Sequence, residues 1–246
     1  MRILVFTCIF GGLAAFAAAA QSSAAAAPPA AAPKLTGFPF QDETLRYNLR
    51  WPSGLSLGEA SFSAHHSASG WSFDTTIDAS VPSFPLRDNY RSTATEALCS
   101  LTFERSFTHG SKKSQEKTTF DAANRRATRQ TTLPPDGGKS ELDTPSCPHD
   151  AVAFFYFVRR EMGQGRVAPA ETVYFGGGYS VVLKYTGAMT IPVQKKDTVT
   201  DHVVVTIRGP RSSIDAEVFF ARDAARTPLL IKVPLSLGTA SVELVR

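Results

Sequence analysis

The sequence predicts a mainly β protein: a single antiparallel β-barrel, or a strongly curved half-barrel, around one buried α-helix at about residues 148–162. Three observations carry that expectation. Apolar and polar residues alternate with a period of two over most of the chain beyond residue 40, as they do in strands with one wet face. Clusters of turn-forming residues separate these runs. One segment, Asp150–Met162, departs from the pattern, with apolar residues at 151, 154, 155, 158 and 162, a helical stripe. A lone aromatic helix among some twelve or thirteen strands needs a sheet that bends around it.

The elements follow in order. Met1-Arg2 is a short positive start, Ile3–Ala18 carries no charge, and Ala18-Ala19-Ala20 sets small residues before Gln21. This is the layout of a secretory signal peptide over residues 1–20, too short in its apolar run for a good spanning helix. The chain is therefore expected to be exported, with no transmembrane span once the leader is removed. Residues 21–33 are almost entirely Ala, Ser and Pro, so 21–37 reads as a mobile tether ahead of a single domain at 38–246. Order is expected from about Phe38.

Leu45, Tyr47, Leu49 and Trp51 alternate with Arg46, Asn48 and Arg50. Pro52–Gly54 turns the chain into Leu57–His65, and Gly70 opens Trp71, Phe73, Thr75, Ile77 and Ala79. Further strands are expected at 89–97, 101–109, 114–121 and 124–132, then at 171–176, 179–189, 198–208, 213–222, 228–234 and 236–245. Between the two groups lies the helix. Val152 and Phe157 add apolar surface beyond the stripe, so it is expected to be buried on more than one side. Ser146 or Asp150 can cap it, Pro148 fits a first turn, and Gly163 is a natural stop. Arg159 and Arg160 lie near the end whose dipole favours cations.

Composition bounds the rest. Hydrophobic content of 43%, including 17 Phe, suffices for a sizeable core. A formal charge of +4 predicts only weak attraction to anionic surfaces, and an exported chain has little occasion to meet nucleic acid. Of three cysteines, Cys8 falls inside the leader, preceded by Val5-Phe6-Thr7 rather than small residues, which argues against lipidation. Cys99 and Cys147 remain, and an oxidising compartment makes a disulfide their expected state. A bridge here would pin the helix mouth to the sheet. The spacing does not suit Cys-x-x-Cys redox chemistry.

Several residues together resemble a known family. Asp150, Ala153, Tyr156 and Arg159 are similar to the D-x-x-[SA]-x-x-Y-x-x-R helix of the exported family catalogued as domain of unknown function 3108. Asp223, Arg226 and Pro228 resemble its strand, D-x-x-R-x-P turn, strand signature, and Leu45–Trp51 with Gly58-Glu59-Ala60 resembles its first hairpin. The resemblance covers roughly 40–246 and implies a periplasmic location in a two-membrane bacterium, with secretion as the alternative. It brings no established activity, and a cysteine pair is not part of its general pattern. The motif residues have structural readings: Asp150 as a cap, Tyr156 as a buried ring with a polar tip, Asp223 in a turn, and Pro228 starting a strand. The ending also looks like that of lipoprotein-carrier half-barrels, which hold acyl chains on a concave apolar face, an analogy of fold alone.

Chemistry is sparsely signalled. The five histidines are His65, His66, His109, His149 and His202. His65 and His66 are adjacent in a strand and point to opposite faces, and no paired metal-ligand spacing occurs, so no metal or other cofactor is implied. His149-Asp150 at the helix mouth is the best place for acid–base work, yet no Gly-x-Ser-x-Gly elbow accompanies it. Gly176-Gly177-Gly178 leads into a strand and reads as a hairpin turn. Arg125-Arg126 and Lys195-Lys196 read as solvated charge at strand ends. Phe154, Phe155 and Phe157, with Phe62, Trp71, Phe73 and Phe220, either line an apolar cavity or fill a dry core. The leading expectation is a non-catalytic envelope protein that binds an apolar or lipid-like ligand. The alternatives are a scaffold module with an envelope protein partner, and a hydrolase.

Overall fold

The computed structural model describes residues 42–81, 84–210, 212–235 and 238–245. The predicted leader, the tether, Cys8 and the start of order near Phe38 lie outside the described residues. The first strands are β1 (Asp42–Arg50), β2 (Ser56–Ser67), β3 (Gly70–Val81), β4 (Phe84–Ala94) and β5 (Ser100–His109). They continue with β6 (Lys112–Asp121), β7 (Arg126–Leu133), β8 (Lys139–Asp143) and β9 (His149–Asp150). Helix α1 (Ala151–Gly163) follows, then β10 (Glu171–Tyr174), β11 (Gly178–Val193) and β12 (Lys196–Gly209). β13 (Ser212–Ala221), β14 (Pro228–Leu235) and β15 (Gly238–Val245) complete the chain.

All fifteen strands among the described residues lie in one sheet, ordered β8 down to β1, then β15 down to β9. Neighbours are antiparallel except β9 and β10, which run parallel. β1 pairs with β15, Tyr47 opposite Leu244, so the first and last strands meet in the middle of the sheet. β8 and β9 are its two edges and do not pair with each other, which makes this a curved sheet that falls short of a closed barrel. Side chains reach across the gap: Tyr174 Oη donates to Asp143 O at 2.9 Å, and the Tyr174 ring meets Phe120 edge-on.

Alternation explains the strands and periodicity the helix. In β13, Ala216, Val218 and Phe220 are buried on one face. α1 divides the core in two. Val152, Ala153 and Tyr156 pack with Phe73, Phe103 and Phe120 of the early strands. Phe154, Val158 and Met162 pack with Val181, Leu183, Val203, Val218 and Phe220 of the late ones. The helix therefore lies inside the bend of the sheet.

The structure corrects several details. The helix starts at Ala151 rather than 148, because Asp150 caps it and Pro148 is spent beforehand, its carbonyl accepting from Ser100 N at 2.8 Å. Ser146 is not the cap. Strand β4 begins at Phe84, five residues before the expected 89. β8 and β9 were not expected: the first is a five-residue polar edge strand and the second only two residues long, too short to show a period.

Cys99 and Cys147 form a disulfide with Cα atoms 4.7 Å apart. It ties the β4–β5 connection to the chain entering α1. Replacing both cysteines by Ser should lower the unfolding free energy by about 4 kcal/mol on the chain-entropy estimate for a loop of this size. Urea denaturation checks this, and the wild-type chain in reductant should shift to the same midpoint.

Candidate functional site

The family-like residues converge on the two ends of α1. At its start, Asp150 is fully buried. Its Oδ1 accepts from the Val152 and Ala153 backbone N–H at 2.9 and 3.0 Å. Its Oδ2 accepts from the hydroxyls of Ser92 and Ser100, both at 2.6 Å. Burial pushes this carboxyl above its ordinary range, and the four donors oppose that push. Two of the donors are orphan N–H groups of the first helical turn.

Near the other end, Arg159 is 0% exposed. Its two terminal nitrogens donate to both oxygens of Glu43 at 2.7 and 3.0 Å, and Nε donates to the carbonyls of Ala225 and Arg226. Tyr156 lies between the two ends, stacked on Phe73 with centroids 4.4 Å apart and beneath the Arg159 guanidinium. Desolvation holds its phenol well above its ordinary pKa.

The D-x-x-R-x-P turn receives Arg159. Asp223 accepts from Thr227 N at 2.9 Å and from its hydroxyl at 2.7 Å. Arg226 stands at φ +49° and pairs with Asp201, which Arg222 also reaches at 3.0 Å. Pro228 is buried at the head of β14, and its carbonyl accepts from Tyr47 Oη at 3.0 Å. Asp150, Tyr156, Arg159, Asp223, Arg226 and Pro228 are thus one fastening system for the helix. Glu43, Ser92 and Ser100 complete it. Sequence reading missed all three, although Glu43 carried a signal: it occupies the same face of β1 as Leu45, Tyr47 and Leu49.

The aromatic residues expected to line a ligand site divide into two groups. Phe73 (1% exposed), Trp71 and Phe154 are buried in the two core clusters, with Trp71 stacked on Phe73. Phe62, Phe155 and Phe157 are only part-buried, and Phe62 meets Phe155 at 5.3 Å.

Beyond α1 the concave face continues without it. One rung runs Leu49–Val242–Ile231–Val218–Val203 across β1, β15, β14, β13 and β12. Its last two members touch the helix-facing core, so the whole rung points inward. Leu49, Val242 and Ile231 are nevertheless only part-buried, as are Val233, Val205 and Ile207 on the following rungs and Ile77 across on β3. The opposite bank is polar. Asp88 accepts from Tyr90 Oη and lies 2.7 Å from His109 Nε2, and Arg105 donates to Glu116 at 2.9 Å. Arg105 sits over the Phe175 ring, and Arg129 donates to the Gly176 carbonyl, which docks the β10–β11 turn on this bank. Open clefts of about 400, 640 and 680 Å³ border the sheet, and no helix residue lines them.

Each histidine faces a carboxylate. His65 and His66 meet Asp42 and Glu96 at the surface. His149 is buried beside Glu171 at 3.0 Å and stacks on Phe157. His202 stands between Thr186 Oγ1 at 2.6 Å and Glu217 at 3.0 Å. Among the described residues, no group of three or more His, Cys, Asp or Glu could hold a metal ion, and no helix is long and apolar enough to cross a membrane.

A helix fastened at both ends inside one open, curved sheet defines a β-barrel-like protein. The chain belongs to the family described as protein of unknown function (DUF3108), whose profile matches residues 46–245. Among solved structures it is similar to a β-barrel-like protein of domain of unknown function DUF1849 from Brucella abortus. The TM-score is 0.58 at 9% sequence identity, over 84% of this chain and 97% of that one, a likeness of fold. No curated protein matches the chain.

Replacing Arg159 by Met should destabilise the domain by roughly 3–5 kcal/mol, because the Glu43 carboxylate and two turn carbonyls lose their donor. Pairing it with Glu43→Leu should recover most of that loss. Urea midpoints of the two single variants and the double variant read the coupling directly.

Proposed function

We propose that this chain is an exported, non-catalytic envelope protein that holds an apolar or lipid-like ligand in the concavity of its open sheet. One observation carries the reading: the inward rung through Leu49, Val242 and Ile231 is left part-exposed, although Val218 and Val203 of the same rung are buried in the helix-facing core. Inward aliphatic side chains in a finished core lose all contact with water. Here they form a wall opposite polar groups, the lining that an amphipathic guest requires. Phe62 and Phe155 border that wall from the helix side. Export rests on the charge and hydropathy of residues 1–20, and the periplasm is the compartment that suits both the leader and the Cys99–Cys147 bridge.

Solvent extraction of the natively purified chain, followed by mass spectrometry, should recover an apolar molecule near one equivalent. Val242→Asp puts a charge on the wall without touching the fastening of α1, and should lower that recovery about tenfold. A wild-type chain that yields no apolar molecule and takes up no polarity-sensitive dye would overturn the reading.

A hydrolase is the second reading, favoured by the Glu217–His202–Thr186 chain of contacts, which has the order acid, base, hydroxyl. Against it, Thr186 also donates to the His202 carbonyl, and the one helix N-terminus among the described residues is occupied by Asp150. No helix start is left to hold an oxyanion beside Thr186. If this reading is right, p-nitrophenyl acetate turnover is measurable and falls at least 100-fold in His202→Ala; background rates in both chains dismiss it.

A further inference from the structure

β11 and β12 are the longest strands, and they outrun the sheet. β12 pairs with β13 only from Thr200, opposite Ala221, and β11 pairs with β10 only through Val181. Residues 190–199 therefore project as a two-stranded arm of four rungs, Thr190–Val193 against Lys196–Val199, roughly 13 Å long. Such a ribbon is marginal in water by itself. Seven of its ten residues are exposed and only Ile191 is buried. Val199 is 49% exposed, and Met189 at the arm's root 44%.

The tip is unusual. Gln194 and Lys195 have φ of +50° and +67°, a turn in which both central residues are left-handed. Asn-Gly is the low-strain choice for that turn, and long side chains are disfavoured there. Backbone strain of this kind clusters at functional sites. This tip keeps Lys195 and follows it with Lys196, against one acid, Asp197. Asp201 at the arm's base is already neutralised by Arg222 and Arg226. The outermost point thus carries a net positive charge beside Pro192 and Val193, while Val199 sits on the rung farthest from the turn.

The free edge of β11 is a poor template for another strand. Its register shifts between Tyr185 and Gly187, where Gly187 takes φ +122°, and Pro192 has no N–H to offer. A basic, apolar-flanked tip on a short ribbon fits a different partner. We infer that residues 190–199 are a docking arm for an anionic membrane surface, with Lys195 and Lys196 at the phosphates and the neighbouring apolar side chains at the headgroup boundary. This rests on the lipid-carrier reading, for which it supplies a means of reaching a lipid source.

The test is sedimentation of the full chain, processed as the cell delivers it, with vesicles of phosphatidylglycerol and phosphatidylethanolamine or of phosphatidylcholine alone. Binding should be confined to the anionic vesicles and be released by 0.5 M salt. The variant Gln194→Asn/Lys195→Gly/Lys196→Thr should bind about 25-fold more weakly, near fivefold per lysine removed. Its thermal midpoint should be unchanged or higher, since Asn-Gly suits the turn. Lys113→Thr/Lys139→Thr removes equal charge elsewhere and should bind as the wild type does; any retained leader is common to all chains. Equal binding by the arm variant and the wild type, or no anionic preference, overturns the inference. So does a dimer in light scattering that the arm variant abolishes, which would assign the arm to a second copy. Recovered lipid without vesicle binding sinks the arm alone. Vesicle binding without recovered lipid sinks the carrier reading and leaves the arm as a membrane anchor.

Discussion

A guanidinium buried in the bend of a sheet constrains everything near it. Arg159 cannot be left in an apolar interior without partners, so β1 has to present Glu43 and the turn after β13 has to turn its carbonyls inward. Those demands fix how far the helix lies from β1 and where β14 begins. Asp150 imposes the matching condition at the other end, drawing serines from β4 and β5. A rod tied at both ends to strands far apart in the sheet sets the curvature between them. The fastening is polar throughout, while the surfaces that it brings together are aromatic.

This separation accounts for how the core is filled. Tyr156, Phe73 and Trp71 stack on one side of the helix, and Phe154 joins the valines of the late strands on the other. α1 occupies only part of the hollow. Away from it, the lining changes from large rings to aliphatic side chains: Ile231 at the margin of the helix-facing core, and Leu49 and Val242 on the same rung, all part-exposed. The proposed guest covers the part of that rung left open to water.

Much of this was legible in the amino-acid order. A period of two marks each long strand, the stripe at 151, 154, 155, 158 and 162 marks the helix, and two cysteines in the folded part leave one pairing. The family-like residues could also be located, because a cap, a ring with a polar tip and a turn acid have local signatures. What stayed hidden depends on register. That Glu43 meets Arg159, that Ser92 and Ser100 meet Asp150, and that Thr186 meets His202 follow from rungs formed by residues distant in sequence. The open wall escaped for the same reason. It is aliphatic and drawn from six strands, whereas attention falls naturally on the phenylalanines, several of which are consumed in packing. β8 and β9 are too brief and too polar to announce themselves.

The parted seam between β8 and β9 has a mechanical consequence. A closed barrel is joined all round by backbone hydrogen bonds, whereas this seam is closed by the Cys99–Cys147 bridge and the Ser100–Pro148 bond on one side. Side chains close it elsewhere: a tyrosine hydroxyl, an edge-on ring pair and an arginine on a turn carbonyl. The side-chain clasps belong to no strand pairing, while the bridge is covalent and stays shut. Any widening of the hollow therefore has to swing about the sulfur bridge, parting the seam on its far side while the strand pairings stay whole.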